Sequence, residues 1–143
     1  MRFPDTSKPV LAVTMGDVNG IGPEILAKAL AGDVPWKTCV PVVFGSPQAL
    51  EDARRFAPGC PPAVAVSSVA EALTATGGVP VLSCGNGGPA PAPGTLDPAA
   101  GAAAVVWIEG AVRAAMAGQV RGLVTCPISK EAILGAGCPH TGH

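Results

Sequence analysis

The chain has no tyrosine, and its other aromatic residues are three phenylalanines and two tryptophans in 143 residues. That supply suits close-packed layers better than an aromatic recognition surface. Charge is also scarce. Nine Lys and Arg face ten Asp and Glu, for a net charge of −1. No run of basic residues forms a stripe, so the electrostatic footprint of nucleic-acid binding is missing. The longest apolar run near the start, Val10 to Met15, is far too short to span a bilayer. Asp17 follows it where a signal peptide would carry a small-residue cleavage site. The reading is therefore of a protein without nucleic-acid or membrane partners. Five cysteines, at 39, 60, 84, 126 and 138, form no C-x-x-C pair and are odd in number. A disulfide framework or zinc knuckle is disfavoured, and reduced thiols in a cytoplasmic protein are expected.

Hydrophobic residues are plentiful at 48%, chiefly Ala and Val, enough for a core. Their order alternates between strand and helix signals. Pro9 to Met15 reads as a buried strand ended by glycine. Gly16 to Gly22 is a glycine-rich turn, and Pro23 with Glu24 opens a helix that runs to about Gly32. Cys39 to Phe44 is a second strand, and Ser46-Pro47 caps a helix toward Phe56. Ala63 to Val66 is a third strand, and Ser68 with Glu71 fits a capping box. Val79 to Ser83 is a fourth. Gly85 to Gly94, with four glycines and three prolines, is a loop or linker. Asp97-Pro98 then caps the longest helix, along which Val105, Ile108, Val112 and Met116 follow one face until Gly118. Glu109 and Arg113 form an i,i+4 pair that reads as a solvated face. A last strand lies within Val120 to Cys126, and Pro127 to Lys130 leads into a short helix ending at Gly135 or Gly137. No internal repeat is visible. The alternation predicts an α/β fold with a mainly parallel sheet and helices on both faces.

Ligands of such sheets gather beyond the carboxyl ends of the strands. Two segments land there: Gly16 to Glu24, and Thr125-Cys126-Pro127-Ile128-Ser129-Lys130. Glycines at 16, 20 and 22 do not make G-x-G-x-x-G, so the dinucleotide fingerprint fails. From spacing alone the segment reads first as a plain strand–helix turn. Asp17 and Asn19 are placed to contact a ligand but are also ordinary turn residues. Lys130 suits a phosphate as a point charge, yet on chemistry alone it is a surface lysine in a first helical turn. Cys126 has no histidine near it in sequence and reads as a small packed residue. His140 and His143 stand at i,i+3, but two ligands without a carboxylate make no metal site. The chain stops on His143 with no strand or helix to tie the end down, so residues 1–143 are expected to be the incomplete N-terminal part of a longer protein.

Three motifs together carry a resemblance. Met15-Gly16-Asp17-Val18-Asn19-Gly20-Ile21-Gly22-Pro23-Glu24 resembles the opening signature of the 4-hydroxythreonine-4-phosphate dehydrogenase family, Thr125 to Lys130 resembles its T-x-P-I-x-K segment, and Ala136 to His143 resembles its A-G-x-x-x-x-G-H-T-E loop. The helix between Gly94 and Gly118 also follows the family's pattern. Val18 stands where proline is usual, and His140 where an aromatic is common. The resemblance implies a two-domain fold like the isocitrate and isopropylmalate dehydrogenases, with the active site between the domains and the C-terminal portion absent here. It implies NAD-dependent oxidation of 4-phosphohydroxy-L-threonine with decarboxylation in pyridoxal 5'-phosphate biosynthesis, assisted by a divalent metal (zinc, magnesium or cobalt). It implies a cytoplasmic homodimer whose sites draw on both subunits. The metal-binding histidines would lie beyond this sequence. Of the family's substrate-binding histidine–threonine pair, the histidine matches His143. Two alternatives stand beside this: a paralogue acting on phosphorylated threonate, erythronate or a cyclic diol, and a non-catalytic fragment that binds or assembles.

Overall fold

A computed structural model describes residues 7–140 and 142–143. Five strands form one wholly parallel sheet: β1 (Val10–Thr14), β2 (Val40–Phe44), β3 (Ala63–Val66), β4 (Val79–Leu82) and β5 (Gly122–Thr125). The spatial order is β3-β4-β2-β1-β5. Six helices alternate with them: α1 (Gly22–Ala31), α2 (Val34–Thr38), α3 (Pro47–Ala53, extended by a 3₁₀ turn to Phe56), α4 (Val69–Thr74), α5 (Pro98–Met116) and α6 (Lys130–Gly135).

The steps from β1 to β2 and from β2 to β3 run one way along the sheet, and the later two run back. Right-handed crossovers therefore place α1, α2 and α3 on one face and α4 and α5 on the other. The packing agrees, since α1 lies against α3 and α5 against α6. A parallel sheet covered on both faces needs apolar strands throughout. Val42, Val43, Phe44, Val79 and Val81 meet that need and are fully buried.

Caps fall where the sequence placed them. Ser46, Ser68 and Asp97 accept from the backbone N–H of Ala49, Glu71 and Ala99. Ser129 caps α6 in the same way through Ala132. The capping box departs from its usual form in one detail. The Glu71 carboxylate accepts from the backbone N–H of Ser67 rather than that of Ser68. The Ser67 hydroxyl and backbone N–H, both donating to this carboxylate, hold its pKa below the ordinary carboxylate value.

Two features were not foreseen. The short helix α2 has a proline at its second position and buries no residue, so no apolar period announces it. The second concerns α5. Its stripe of Val105, Ile108, Val112 and Met116 is not the face it buries. Ala100, Ala103, Ala104, Trp107, Gly110, Ala111 and Ala114 go inward instead, while Gly101, on the stripe's own side, is buried beneath α6. Close approach explains the inversion. A Cβ on Gly101 would fall 2.4 Å from the Ala132 carbonyl oxygen, and one on Gly110 would fall 2.6 Å from the Cys84 sulfur. Only small residues fit there. Trp107 is the exception, filling the core and donating its indole N–H to the Ser83 carbonyl at 2.7 Å.

Thr14 ends β1 fully buried, and its hydroxyl has no partner among the described residues. A buried, unsatisfied hydroxyl costs about 1–3 kcal/mol. Thr14→Val keeps the shape and removes the orphan, so the urea midpoint should rise by an amount equivalent to roughly 0.5–2 kcal/mol. A lower midpoint would show that the hydroxyl has a partner.

Candidate functional site

The carboxyl edge of β1 and β5 is where the chain's separate motifs meet. β1 pairs with β5 from Leu11–Gly122 to Thr14–Thr125, so the two strands end side by side. Beyond them, the backbone N–H of Asp17 donates to the Pro127 carbonyl at 3.1 Å, and that of Cys126 donates to the Thr14 carbonyl at 2.9 Å. The glycine-rich turn and the Cys126–Pro127 segment are thus fastened backbone to backbone.

Gly16 explains why this contact excludes side chains. Its φ is +76°, and a Cβ there would lie 2.1 Å from the Pro127 carbonyl oxygen and 3.0 Å from that of Cys126. Gly22 opens α1 directly against β1. A Cβ on it would lie 2.1 Å from the Met15 carbonyl oxygen. The glycines of the turn therefore serve tight chain packing first.

The chain's last residue reaches the same place. His143 Nε2 sits 3.3 Å from the Cys126 carbonyl oxygen. Where Nε2 carries the proton it donates to that carbonyl, which leaves Nδ1 as an acceptor. A protonated ring would offer Nδ1–H as a further donor for an anionic ligand. His143 also borders a cleft of about 500 Å³ with Val105, Ile108, Glu109, His140 and Cys138. Thr141, in the same loop, lies outside the described residues.

The remaining candidates separate. Asp17 is buried, and its Oδ1 accepts from the Asn19 backbone N–H at 2.8 Å, an ordinary Asx turn. Asn19 does something that spacing does not reveal. Its side-chain oxygen accepts from the Ala92 N–H and its carbonyl from the Gly94 N–H, both at 2.8 Å. It thereby pins the glycine–proline loop of residues 85–94 across the carboxyl edge, from the end of β4 to the β1 turn. Its amide nitrogen is buried without a partner among the described residues. Lys130 is exposed at the first position of α6. Cys126 is buried, and burial pushes its thiol pKa above the ordinary value, as suits a packed residue rather than a nucleophile. Glu109 and Arg113 are 3.9 Å apart and mostly exposed, a solvated pair.

Among the described residues, no three His, Cys, Asp or Glu side chains lie close enough to hold a metal ion. His140 and His143 border one cleft without completing a ligand set. The described residues do not fit a metal.

Comparisons with known proteins agree with the three motifs. The family described as pyridoxal phosphate biosynthetic protein PdxA matches residues 37–143. A 4-hydroxythreonine-4-phosphate dehydrogenase of Desulfosudis oleivorans is 39% identical over 139 residues, covering 95% of this chain and 40% of that protein. A D-threonate 4-phosphate dehydrogenase of Cupriavidus necator is 35% identical, covering 94% of this chain and 40% of its own length. A crystal structure of a 4-hydroxythreonine-4-phosphate dehydrogenase from Burkholderia phymatum superposes with a TM-score of 0.86 at 33% identity, over 95% of this chain and 41% of that one. The chain thus spans about 40% of the length of the relatives it matches. On the family match over most of its length and the superposition of its sheet, the chain belongs to the pyridoxal phosphate biosynthetic protein PdxA family.

Proposed function

We propose that this chain is the substrate-holding part of an NAD-dependent dehydrogenase that oxidises 4-phosphohydroxy-L-threonine on the way to pyridoxal 5'-phosphate. The observation that carries this reading is the meeting of three motifs at one peptide: Gly16, the Cys126–Pro127 segment and His143 surround the Cys126 carbonyl. The similarity to the Desulfosudis oleivorans dehydrogenase supports it. NAD, when bound, would take up hydride from the carbinol carbon as the hydroxyl gives up its proton. The resulting β-keto acid then loses its carboxylate as carbon dioxide. The part of this chain is to hold the substrate. His143, steadied by the Cys126 carbonyl, binds a phosphate or carboxylate oxygen through its ring N–H. The fastened turn and loop keep that edge rigid, which fixes the distance between substrate and cofactor.

NAD and a divalent ion (zinc, magnesium or cobalt) complete the proposal. The described residues do not fit the ion, so its ligands belong to the part of the family that this chain does not span, and no step is assigned to it. The working form is read as a cytoplasmic homodimer.

A second reading rests on the Cupriavidus necator relative, whose name gives D-threonate 4-phosphate as its substrate. That compound has a hydroxyl where the amino acid has its amine, while phosphate and carboxylate are common to both. His143 therefore serves either. The test is a panel of 4-phosphohydroxy-L-threonine, D-threonate 4-phosphate, erythronate 4-phosphate and a cyclic cis-diol, offered with NAD and each divalent metal to the longer protein that carries this chain. The highest kcat/KM should fall on the phosphorylated amino acid. A preference of tenfold or more for threonate 4-phosphate would move the assignment to the second reading, and no turnover of any member would sink both.

A further inference from the structure

The amino edge of the sheet, opposite the site described above, has no role in that reading. Its interior strands β2 and β4 pair at Val43–Val81 and Phe44–Leu82, and toward their amino ends the pairing stops. Two prolines account for the break. The Val40 N–H donates to the Pro9 carbonyl on the β1 side, so the next residue, Pro41, turns its backbone groups toward β4. The Val79 N–H donates to the Pro62 carbonyl on the β3 side, so Pro80 turns its groups toward β2. In this register the nitrogen of Pro41 faces the Gly78 carbonyl, and that of Pro80 faces the Pro41 carbonyl. Neither proline has an N–H to give. Both bonds of that rung are therefore lost, and the Pro41 and Gly78 carbonyls have no ladder donor. Proline is uncommon inside a sheet, and here two meet across one gap.

The gap opens as a cleft of about 720 Å³, a usual size for a small-molecule site. Pro41, Gly78 and Pro80 line it, and so does Trp36 of α2. This gives α2 a purpose, since it buries no residue and is held by polar ties. The Trp36 indole N–H donates to the Leu30 carbonyl at 2.8 Å, and the Lys8 ammonium donates to the Trp36 carbonyl at 3.0 Å. Trp36 is thereby fixed, half-buried, as an aromatic wall. Lys8 and Asp33 also line the cleft, and each is already engaged, Asp33 with Lys37 at 2.9 Å. What the cleft lacks is a donor for two neutral carbonyls, and an acceptor taken from water without a donor costs free energy.

We propose that this cleft binds a small, neutral heteroaromatic molecule with N–H donors on one edge, of the aminopyrimidine class. The ring packs between Trp36 and the prolines. One amino group carries two N–H donors, which is what the Pro41 and Gly78 carbonyls require. A carboxylate or phosphate is a poorer match, because carbonyl oxygens repel it and Lys8 is engaged with Trp36. The site lies at the opposite edge of the sheet from His143 and does not depend on the proposed dehydrogenase activity.

The test titrates the isotope-labelled 143-residue chain with 2-aminopyrimidine and, separately, with pyrimidine, which has no donor, and follows the amide and indole signals by nuclear magnetic resonance. 2-Aminopyrimidine should shift the signals of Val40, Gly77, Gly78 and the Trp36 indole, with a Kd of about 1–10 mM, the range for a ligand of so few atoms. Pyrimidine should bind roughly tenfold more weakly. Pro80→Val supplies an N–H to the Pro41 carbonyl and extends the ladder, so it should raise the urea midpoint and abolish the shifts. No shifts, equal affinities for the two rings, or shifts centred on carboxyl-edge residues such as Gly16 would overturn the proposal. So would undiminished binding by a folded Pro80→Val. If that variant does not fold, the comparison of the two rings decides the matter.

Discussion

Gly16→Ala should cost about 3–5 kcal/mol, enough to unfold a large share of a domain of ordinary stability. Two penalties add. The backbone at Gly16 has φ +76°, where a Cβ is strained, and that Cβ would meet the Pro127 carbonyl oxygen at 2.1 Å. Neither obstacle is a flexible side chain, so relief requires the β1 turn to move away from β5. Gly118 separates the two penalties. Its φ is +74°, but nothing lies within 4 Å of an added Cβ. Gly118→Ala should therefore cost only the conformational part, about 1–2 kcal/mol. The difference between the two urea midpoints measures the close approach of the motifs at the candidate site. Equal costs would mean that the turn and the Pro127 segment do not touch as described.

His143→Ala should lower kcat/KM in the longer protein by roughly 10- to 100-fold, the value of one charge-assisted hydrogen bond to an anionic substrate group. The loss should appear mainly in KM, because a residue that holds a phosphate or carboxylate binds ground state and transition state alike. The fold should not change, since the residue is exposed and its hydrogen bond among the described residues is to the Cys126 carbonyl. His143→Gln, which keeps a donor, should recover part of the loss. A fall in kcat with KM unchanged would make His143 a participant in the chemistry rather than a holder of substrate. No change in either constant would remove it from the site.

These two residues also mark how far the sequence could be read. The strands were legible because each is a short apolar run between turn residues, and three of the helix caps because serine and aspartate precede first-turn residues in the expected register. The order of the strands was not legible. β4 slips between β2 and β3, and no local pattern records which strand a crossover will reach. The face of α5 was hidden for a physical reason. Periodicity arguments follow large apolar residues, but α5 buries its small ones, because Ala132 and Cys84 approach too closely for anything larger than glycine at 101 and 110. α2 carries no apolar stripe at all. At the site, Gly16 and His143 were each ambiguous in isolation, a turn glycine and a stray histidine. Their common contact with Cys126 is a tertiary fact. Asn19 shows the same limit: its tie to Ala92 and Gly94 spans much of the chain, and only the folded structure separates a loop fastener from a ligand contact.

The central claim is that this chain supplies the edge that holds substrate, while metal and cofactor chemistry depend on the part of the family protein that it does not span. The most direct measurement compares NADH formation by the 143-residue chain alone with that by the same chain joined to the three fifths of the Desulfosudis oleivorans relative that it does not span, each given 4-phosphohydroxy-L-threonine, NAD and a divalent metal. The account predicts metal-dependent turnover by the joined protein and none by the chain alone. Turnover by the isolated chain, or a folded joined protein that turns over none of the phosphorylated hydroxy acids, would contradict it.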